Sequence, residues 1–405
     1  MAMGSPIEAP VSDLARQYLR LQLTKDVGPV RLRNLVNHFG SLPAVFSASS
    51  AELERVDGVG PHVARQVLAA RNDDAVQREA SRASEFGLRI ICREDVEFPE
   101  PLRRIPDAPI CLYVRGRLEP ADAAAVAIVG TRRCSHYGRE QALRFGQLLG
   151  RAGFTVVSGL ARGIDGHAHR GALDAGGRTI AVLGNGLPDI YPPEHKSLAV
   201  GIEAAGAIVT ELPIDCPPDS KNFPRRNRII AGLSLGVIVI EGGKTSGALI
   251  TAEVARKYGR KVLAVPGRVD QPELSAGVHE LIRKGQAKLV TCLEDILEEL
   301  PAPTDSQPGL PPSASQAADL PAVPKAPRLT EDEEAVWKAV KNGIDETDSI
   351  VTASNLHAGR VASAITSLEL KGLLRRLPGN RFCATTVVRQ RNLAGGRPPG
   401  LRERT

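Results

Sequence analysis

The chain has 405 residues, enough for two or three domains, and its 42% hydrophobic and 24% charged residues are ordinary for a soluble folded protein. No run approaches the roughly 20 apolar residues of a membrane-crossing helix, and the start, MAMGSPIEAPVSD, lacks the marks of a secretory signal, so a cytoplasmic protein with no membrane partner is expected. A formal charge of +6 permits a nucleic-acid partner, whereas 3% aromatic residues argue against a long platform of stacked bases.

Residues 1–75 read as a small helical module. Val56-Asp57-Gly58-Val59-Gly60-Pro61 lies between helical patterns and has the form of a helix–hairpin–helix turn, and Val27-Gly28-Pro29 looks like a degenerate second copy. Glycine-rich hairpins of this kind aim backbone N–H groups at DNA phosphates whatever the sequence. With Asp57 beside the turn and few cations there, a purely structural helix pair fits as well. A soft boundary falls near residues 73–77.

From residue 76 to 300 the rhythm is regular. Short apolar runs at Ala125–Val129, Thr155–Val157, Thr179–Leu183, Ala207–Thr210, Val237–Ile240 and Val262–Val265 end in glycine-bearing loops. Helical patterns such as Arg139–Arg151, Asp165–Ala175, Glu194–Ala205 and Ala248–Tyr258 lie between them. Continuous apolar strands alternating with helices predict an α/β fold of extended Rossmann type, a parallel sheet covered on both faces. Right-handed crossovers then bring the glycine-rich loops to one sheet edge, where ligands bind.

Four loops reach that edge: Gly130-Thr131-Arg132-Arg133, Ser158-Gly159-Leu160-Ala161-Arg162-Gly163-Ile164-Asp165, Gly184-Asn185-Gly186 and Gly242-Gly243-Lys244-Thr245-Ser246-Gly247. Glycine lets the backbone approach a ligand and offer N–H groups to an anion, and helix starts add partial positive charge. Any one of these loops would pass as a tight turn. Four together, three of them with Arg or Lys, point to an anion site. The first is not a GxGxxG fingerprint, and Ile238 stands where a P-loop ending in Gly243-Lys244-Thr245 needs its first glycine.

No catalytic, metal or cofactor constellation emerges. Val156 rules out a GxSxG elbow around Ser158, and His167 and His169 point to different faces of their helix. Asp165 is expected to cap that helix, with His169 bonding locally. The six cysteines are scattered without a CxxC pair and read as reduced structural thiols. Lys221-Asn222-Phe223-Pro224-Arg225-Arg226-Asn227-Arg228 concentrates four cations around one aromatic before an apolar helix. Either it holds phosphates and a base, or it is a solvated turn with Phe223 in the core.

The strings VAIVGTRRCSHYG, VVSGLARGIDGHAH, TIAVLGNGLPDIYP, FPRRNRIIAGLS, SGALITAEVA and VPGRVDQPELSAGVHELI closely resemble the DNA-processing protein A family (DprA, also called Smf), from about Phe98 to Leu300. The resemblance implies a non-enzymatic factor for natural transformation and homologous recombination. Such a factor binds single-stranded DNA, loads the RecA recombinase and forms a homodimer. Its Gly-Ser/Thr-Arg motif falls on Gly130, Thr131 and Arg132, and its basic-aromatic segment on Lys221, Phe223, Arg226, Asn227 and Arg228. Ser158, Gly159, Arg162, Lys244 and Ser246, on the neighbouring loops, complete the expected DNA-binding set. The chain departs from the family at His279-Glu280, where Asn followed by Gln or a similar residue is common.

Residues 301–328, PAPTDSQPGLPPSASQAADLPAVPKAPR, read as an extended tether. Residues 329–386 suggest a winged helix: an amphipathic helix Thr330–Asn342 burying Val336, Trp337 and Val340, helical turns over Ala353–Gly372, and a hairpin Leu374–Cys383 around Gly379-Asn380. DNA or protein could be its partner, since the recognition helix carries only Arg360 and Lys371 as cations. Residues 387–405 form a basic tail expected to be disordered. The rival to DNA binding is a Rossmann-like protein that binds or hydrolyses nucleotides, with Glu211 and Glu241 as the available bases. A pure interaction scaffold is a third reading, carried only by the tether and the terminal modules.

Overall fold

The computed structural model describes residues 11–72, 74–300, 329–341, 344–371, 373–377 and 381–384. The chain divides into two compact units, residues 1–307 and 308–405.

Unit one begins with α1 (Asp13–Leu23), α2 (Pro29–Phe39), α3 (Leu42–Ser47), α4 (Ser50–Leu53), α5 (Pro61–Ala69) and α6 (Ala75–Glu85). Helices α2 and α5 each open on a Gly-Pro step, with Gly28 and Gly60 as N-caps and proline setting φ for the first turn. The two expected hairpins are bound to each other. Arg31 donates to the carbonyls of Gly58 (2.7 Å) and Asp26 (2.6 Å), and Asn34 donates to that of Asp57 (3.1 Å).

The chain then runs through β1 (Arg89–Cys92), α7 (Glu100–Arg103), β2 (Cys111–Gly116), β3 (Ala125–Gly130), α8 (His136–Arg151), β4 (Thr155–Ser158), α9 (Ile164–Asp174) and β5 (Thr179–Val182). It continues with α10 (Lys196–Ala205), β6 (Ala207–Thr210), α11 (Asn222–Leu233), β7 (Gly236–Ile240), α12 (Gly247–Lys257), β8 (Lys261–Val265), α13 (Pro272–Arg283), β9 (Lys288–Leu289) and α14 (Leu293–Leu297). The described strands form a nine-stranded sheet in the order β1-β2-β6-β5-β4-β3-β7-β8-β9.

From β6 across to β9 every pairing is parallel, as expected. The other edge is a correction: β2 pairs antiparallel with β6, and β1 antiparallel with β2, so the sheet is mixed. The connection from β1 to β2 carries only the four-residue α7, and the two strands pair directly with each other.

Alternation sorts the central strands between two cores. Ala125, Ala127 and Val129 of β3 pack on the face covered by α11 and α12, while Val126 and Ile128 pack with Phe145 of α8 and Ala168 of α9. Beyond them, β1, β2 and β6 meet the N-terminal helices in a third core that joins Leu19, Leu35 and Val63 to Ile90, Tyr113 and Ile208. Polar contacts anchor that junction. Gln22 accepts from Cys111 N (2.6 Å) and donates to Glu211 O (2.9 Å), and Glu79 accepts from Tyr113 Oη and Ile214 N (both 2.8 Å). The boundary near residues 73–77 therefore lies inside one packed unit.

Unit two contains α15 (Glu331–Lys341), α16 (Thr347–Ser354), α17 (Ala358–Leu370) and the antiparallel pair β10 (Leu374–Leu377) and β11 (Arg381–Ala384). Its core joins Val336, Val340, Ile350, Ile365 and Phe382, with Trp337 partly buried. The turn expected at Gly379-Asn380 lies outside the described residues. The cations of the expected recognition helix face carboxylates of the same unit: Arg360 of α17 pairs with Asp332, and Lys371, the C-cap of α17, with Glu333 at 2.6 Å.

Glu333, 4% exposed, accepts from Lys371, Ser367 and the Thr330 backbone, and these bonds hold its carboxyl down to about 2. A depressed carboxylate stabilises the fold above its unfolded value of about 4.3 and loses that contribution as the pH falls toward the folded value. Trp337 is the sole tryptophan, so its fluorescence reports this module. Its melting temperature should drop between about pH 4.3 and pH 2. Glu333→Gln should lower it at neutral pH and flatten that acid limb; an unchanged neutral melt would refute the assignment.

Candidate nucleic-acid interface

From β3 the chain moves away through β4, β5 and β6, then returns to lay β7 on the other side of β3. Loops leaving such a pair diverge and open a crevice beyond the carboxyl ends of the strands. A cleft of about 680 Å³ lies there, walled by Gly130, Thr131 and Arg132 after β3, Phe223 and Asn227 of α11, and Ser246 before α12.

The β3 loop is held from β7. Thr131 N donates to the Glu241 carbonyl (2.9 Å), while the Glu241 carboxylate accepts from Ser135 N (2.9 Å) and Ser135 Oγ. Ser135 in turn caps α8 by accepting from Gly138 N (3.0 Å). Glu241 adopts φ +49°, a left-handed conformation that costs of order 1–3 kcal/mol in a non-glycine residue. A Cβ on Gly130 would collide with the Ile240 carbonyl and the Ile164 side chain, so only glycine lets β3, β7 and α9 converge there.

The β4 loop is tied from below. Ser158 is fully buried, and its hydroxyl donates to the Ile128 carbonyl at 2.6 Å. Arg226, 5% exposed, donates to the carbonyls of Gly159 (2.8 Å) and Val182. A side chain on Gly159 would run into that guanidinium. Burial pulls Arg226 down to about 10, against the opposing pull of Asp165. Burial likewise raises Asp165, with Arg226 acting against it. Asp165 is not the cap of α9, a position held by Gly163; its carboxylate accepts from Gly159 N (3.1 Å) and Ala161 N (3.4 Å). His169 bonds locally to Thr179 Oγ1 at 2.7 Å.

The expected contact residues thus separate into two groups. Exposed Arg162 makes a surface pair with Glu194, whereas Ser158, Arg226 and Arg228 turn inward and have protein partners. The reason is general: a polar or charged group removed from water must be partnered by the protein itself. Arg132, which lines the cleft, is exposed, as are Lys221 and Lys244, whose chain neighbours Ser220, Gly243 and Thr245 line it. Lys221 precedes α11, and Ser246 caps α12 by accepting from Ala248 N at 3.3 Å. His279, at the family departure, lies 3.0 Å from the Gly267 carbonyl through Nε2.

Phe223 is half-buried, so it is not the enclosed core residue of the alternative reading. The Arg132 guanidinium lies over its ring, 4.9 Å from the centroid, and the Tyr191 ring sits 5.9 Å away. Tyr191 was missed in the sequence; its only signal was its place in the string GNGLPDIYP, after the third glycine loop.

The family model for DNA recombination-mediator protein A matches residues 89–301, which contain the whole cleft. The chain belongs to the DNA recombination-mediator protein A family. Its flanks match the DprA winged helix domain over residues 320–380 and a helix-hairpin-helix motif over residues 24–78. Among relatives of this family member, Protein Smf of Synechocystis sp. is 35% identical over 393 residues, covering 90% of this chain and 97% of that protein. Protein Smf of Escherichia coli is 41% identical over 304 residues, covering 74% and 79%. The X-ray structure of DNA processing protein A from Streptococcus pneumoniae is similar with a TM-score of 0.62 and 35% identity, over 70% of this chain and 98% of that one. Among the described residues, no helix of this family member is long and apolar enough to cross a membrane.

Proposed function

We propose that this member of the DNA recombination-mediator protein A family binds single-stranded DNA in the cleft beyond β3 and β7 and, as a cytoplasmic homodimer, loads RecA onto it. The observation that carries the reading is the rim of the cleft. Exposed Arg132 lines the cleft and lies over the half-buried Phe223, and two further exposed cations, Lys221 and Lys244, adjoin the lining residues Ser220, Gly243 and Thr245 in the chain. Cations with an aromatic face are what a single strand needs, charge for phosphates and a ring for a base. Gly130, Thr131, Asn227 and Ser246 complete the contact set.

The two bases named for the competing nucleotide-hydrolysing reading are both engaged. Glu211 is paired with Arg228, and Glu241 holds Ser135 and the start of α8. On this reading the protein acts by binding and turns over neither nucleotides nor DNA.

The test is titration of a labelled oligonucleotide with the full chain at several salt concentrations, beside a nucleotide-hydrolysis screen. Affinity should fall linearly on a log–log plot as salt rises, because bound cations release counterions from the strand. Salt-independent binding, or hydrolysis that disappears in Glu211→Gln or Glu241→Gln, would overturn the reading. RecA loading and dimerisation are tested by filament assembly on coated single strands and by sedimentation.

A further inference from the structure

A second groove adjoins the cleft and has no role in the proposed site. It measures about 510 Å³ and runs between the start of α11 and the end of α12, lined by Pro106, Pro224, Arg225, Arg228, Lys257 and Tyr258 among others. Pro224 lines both spaces, so the groove begins where the cleft ends.

Its chemistry repeats that of the cleft. Of its four charged lining residues, Asp107, Arg225, Arg228 and Lys257, three are cationic. The one carboxylate is already engaged: Asp107 accepts from Tyr258 Oη and lies 3.8 Å from Arg228 Nε. Holding the phenol by its hydroxyl fixes the Tyr258 ring in the wall. Arg228 pairs inward with Glu211, yet its Nη1 is buried with no hydrogen-bond partner among the described residues. Arg225 is exposed, and Lys257 is paired, among the described residues, only with Glu253, one turn away on the surface of α12, at 2.8 Å. Such an exposed pair is worth little and yields readily to a phosphate. On the far wall, Arg33 of α2 donates to the Pro106 carbonyl at 2.8 Å, so the N-terminal module braces the groove.

We infer that a single strand leaving the cleft crosses Pro224 and continues along this groove, where Arg225 and Lys257 meet its phosphates and Tyr258 offers a face to a base. The inference rests on the reading of the cleft above and extends it from one site to a two-part track.

The test compares binding of short and long oligothymidylates, about 6 and about 20 nucleotides, to the full chain, lengths that bracket common single-strand site sizes. The double variant Arg225→Ala, Lys257→Ala should bind the long strand about tenfold more weakly, with a salt slope smaller by up to about 2, and bind the short strand as before. Tyr258→Leu should show the same length dependence, whereas Tyr258→Phe should keep most of the affinity. Independently, the long strand but not the short one should protect Lys257 from acetylation. If the double variant binds both lengths like the parent, or loses both equally, or if Lys257 stays equally reactive, the groove is not part of the track. If instead Lys221→Ala with Lys244→Ala leaves both lengths bound normally, it is the reading of the cleft itself that fails.

Discussion

Arg226→Ala should destabilise the first unit by roughly 3–5 kcal/mol, the cost of removing one partner from a buried charged pair. The guanidinium sits beneath the cleft, donates to the Gly159 and Val182 carbonyls, and offsets the charge of Asp165. Truncation takes this donor from two carbonyls and removes the opposing charge of Arg226 from the buried Asp165 carboxylate. Arg226→Lys should recover only part of the loss, because an ammonium cannot reproduce the planar fork. Asp165→Asn offers a second arm. It removes the orphaned charge, so the double variant Arg226→Ala, Asp165→Asn should be more stable than Arg226→Ala alone. Thermal melts of the parent and these four variants decide it. A melting temperature for Arg226→Ala equal to that of the parent would mean the residue is not the keystone of the cleft floor.

On the rim, substitutions should spare the fold and weaken binding. Arg132→Ala and Lys221→Ala should each lower single-strand affinity for every sequence and reduce the salt slope by about 1. Phe223→Ala should cost roughly 1–3 kcal/mol of binding if its ring stacks on a base, with little change in slope. One face of that ring carries Arg132 at 4.9 Å, so the two residues are coupled. Cation–π contacts at exposed sites are worth about 0.5–1 kcal/mol. The double variant Arg132→Ala, Phe223→Ala should therefore lose less than the sum of the two single losses. Since Phe223 is only half-buried, its truncation should leave the melting temperature nearly unchanged. A large drop there, or normal binding by both charge variants, would place the contact site elsewhere.

The sequence by itself determined where the central strands lie and that their loops share one edge. The runs at Ala125–Val129, Val237–Ile240 and Val262–Val265 lie within the observed β3, β7 and β8. Strands buried on both faces must be apolar throughout, and each glycine loop follows its strand directly, so these signals are local. The antiparallel edge was not legible, because the direction of β1 and β2 is set by pairings with each other and with β6, about 95 residues further along the chain from β2. Nor did residue type distinguish the arginines within Arg225-Arg226-Asn227-Arg228. One turn of α11 sends Arg226 into the sheet beneath Gly159 and Arg228 toward Glu211, while Arg225 stays in water. Whether a cation meets a phosphate or a carbonyl depends on which groups the fold brings within about 3 Å of it. The partners of Arg226 and Arg228 lie 67, 44 and 17 residues away in the chain. No local pattern carries that distance; only the packing of α11 across β4, β5 and β6 does.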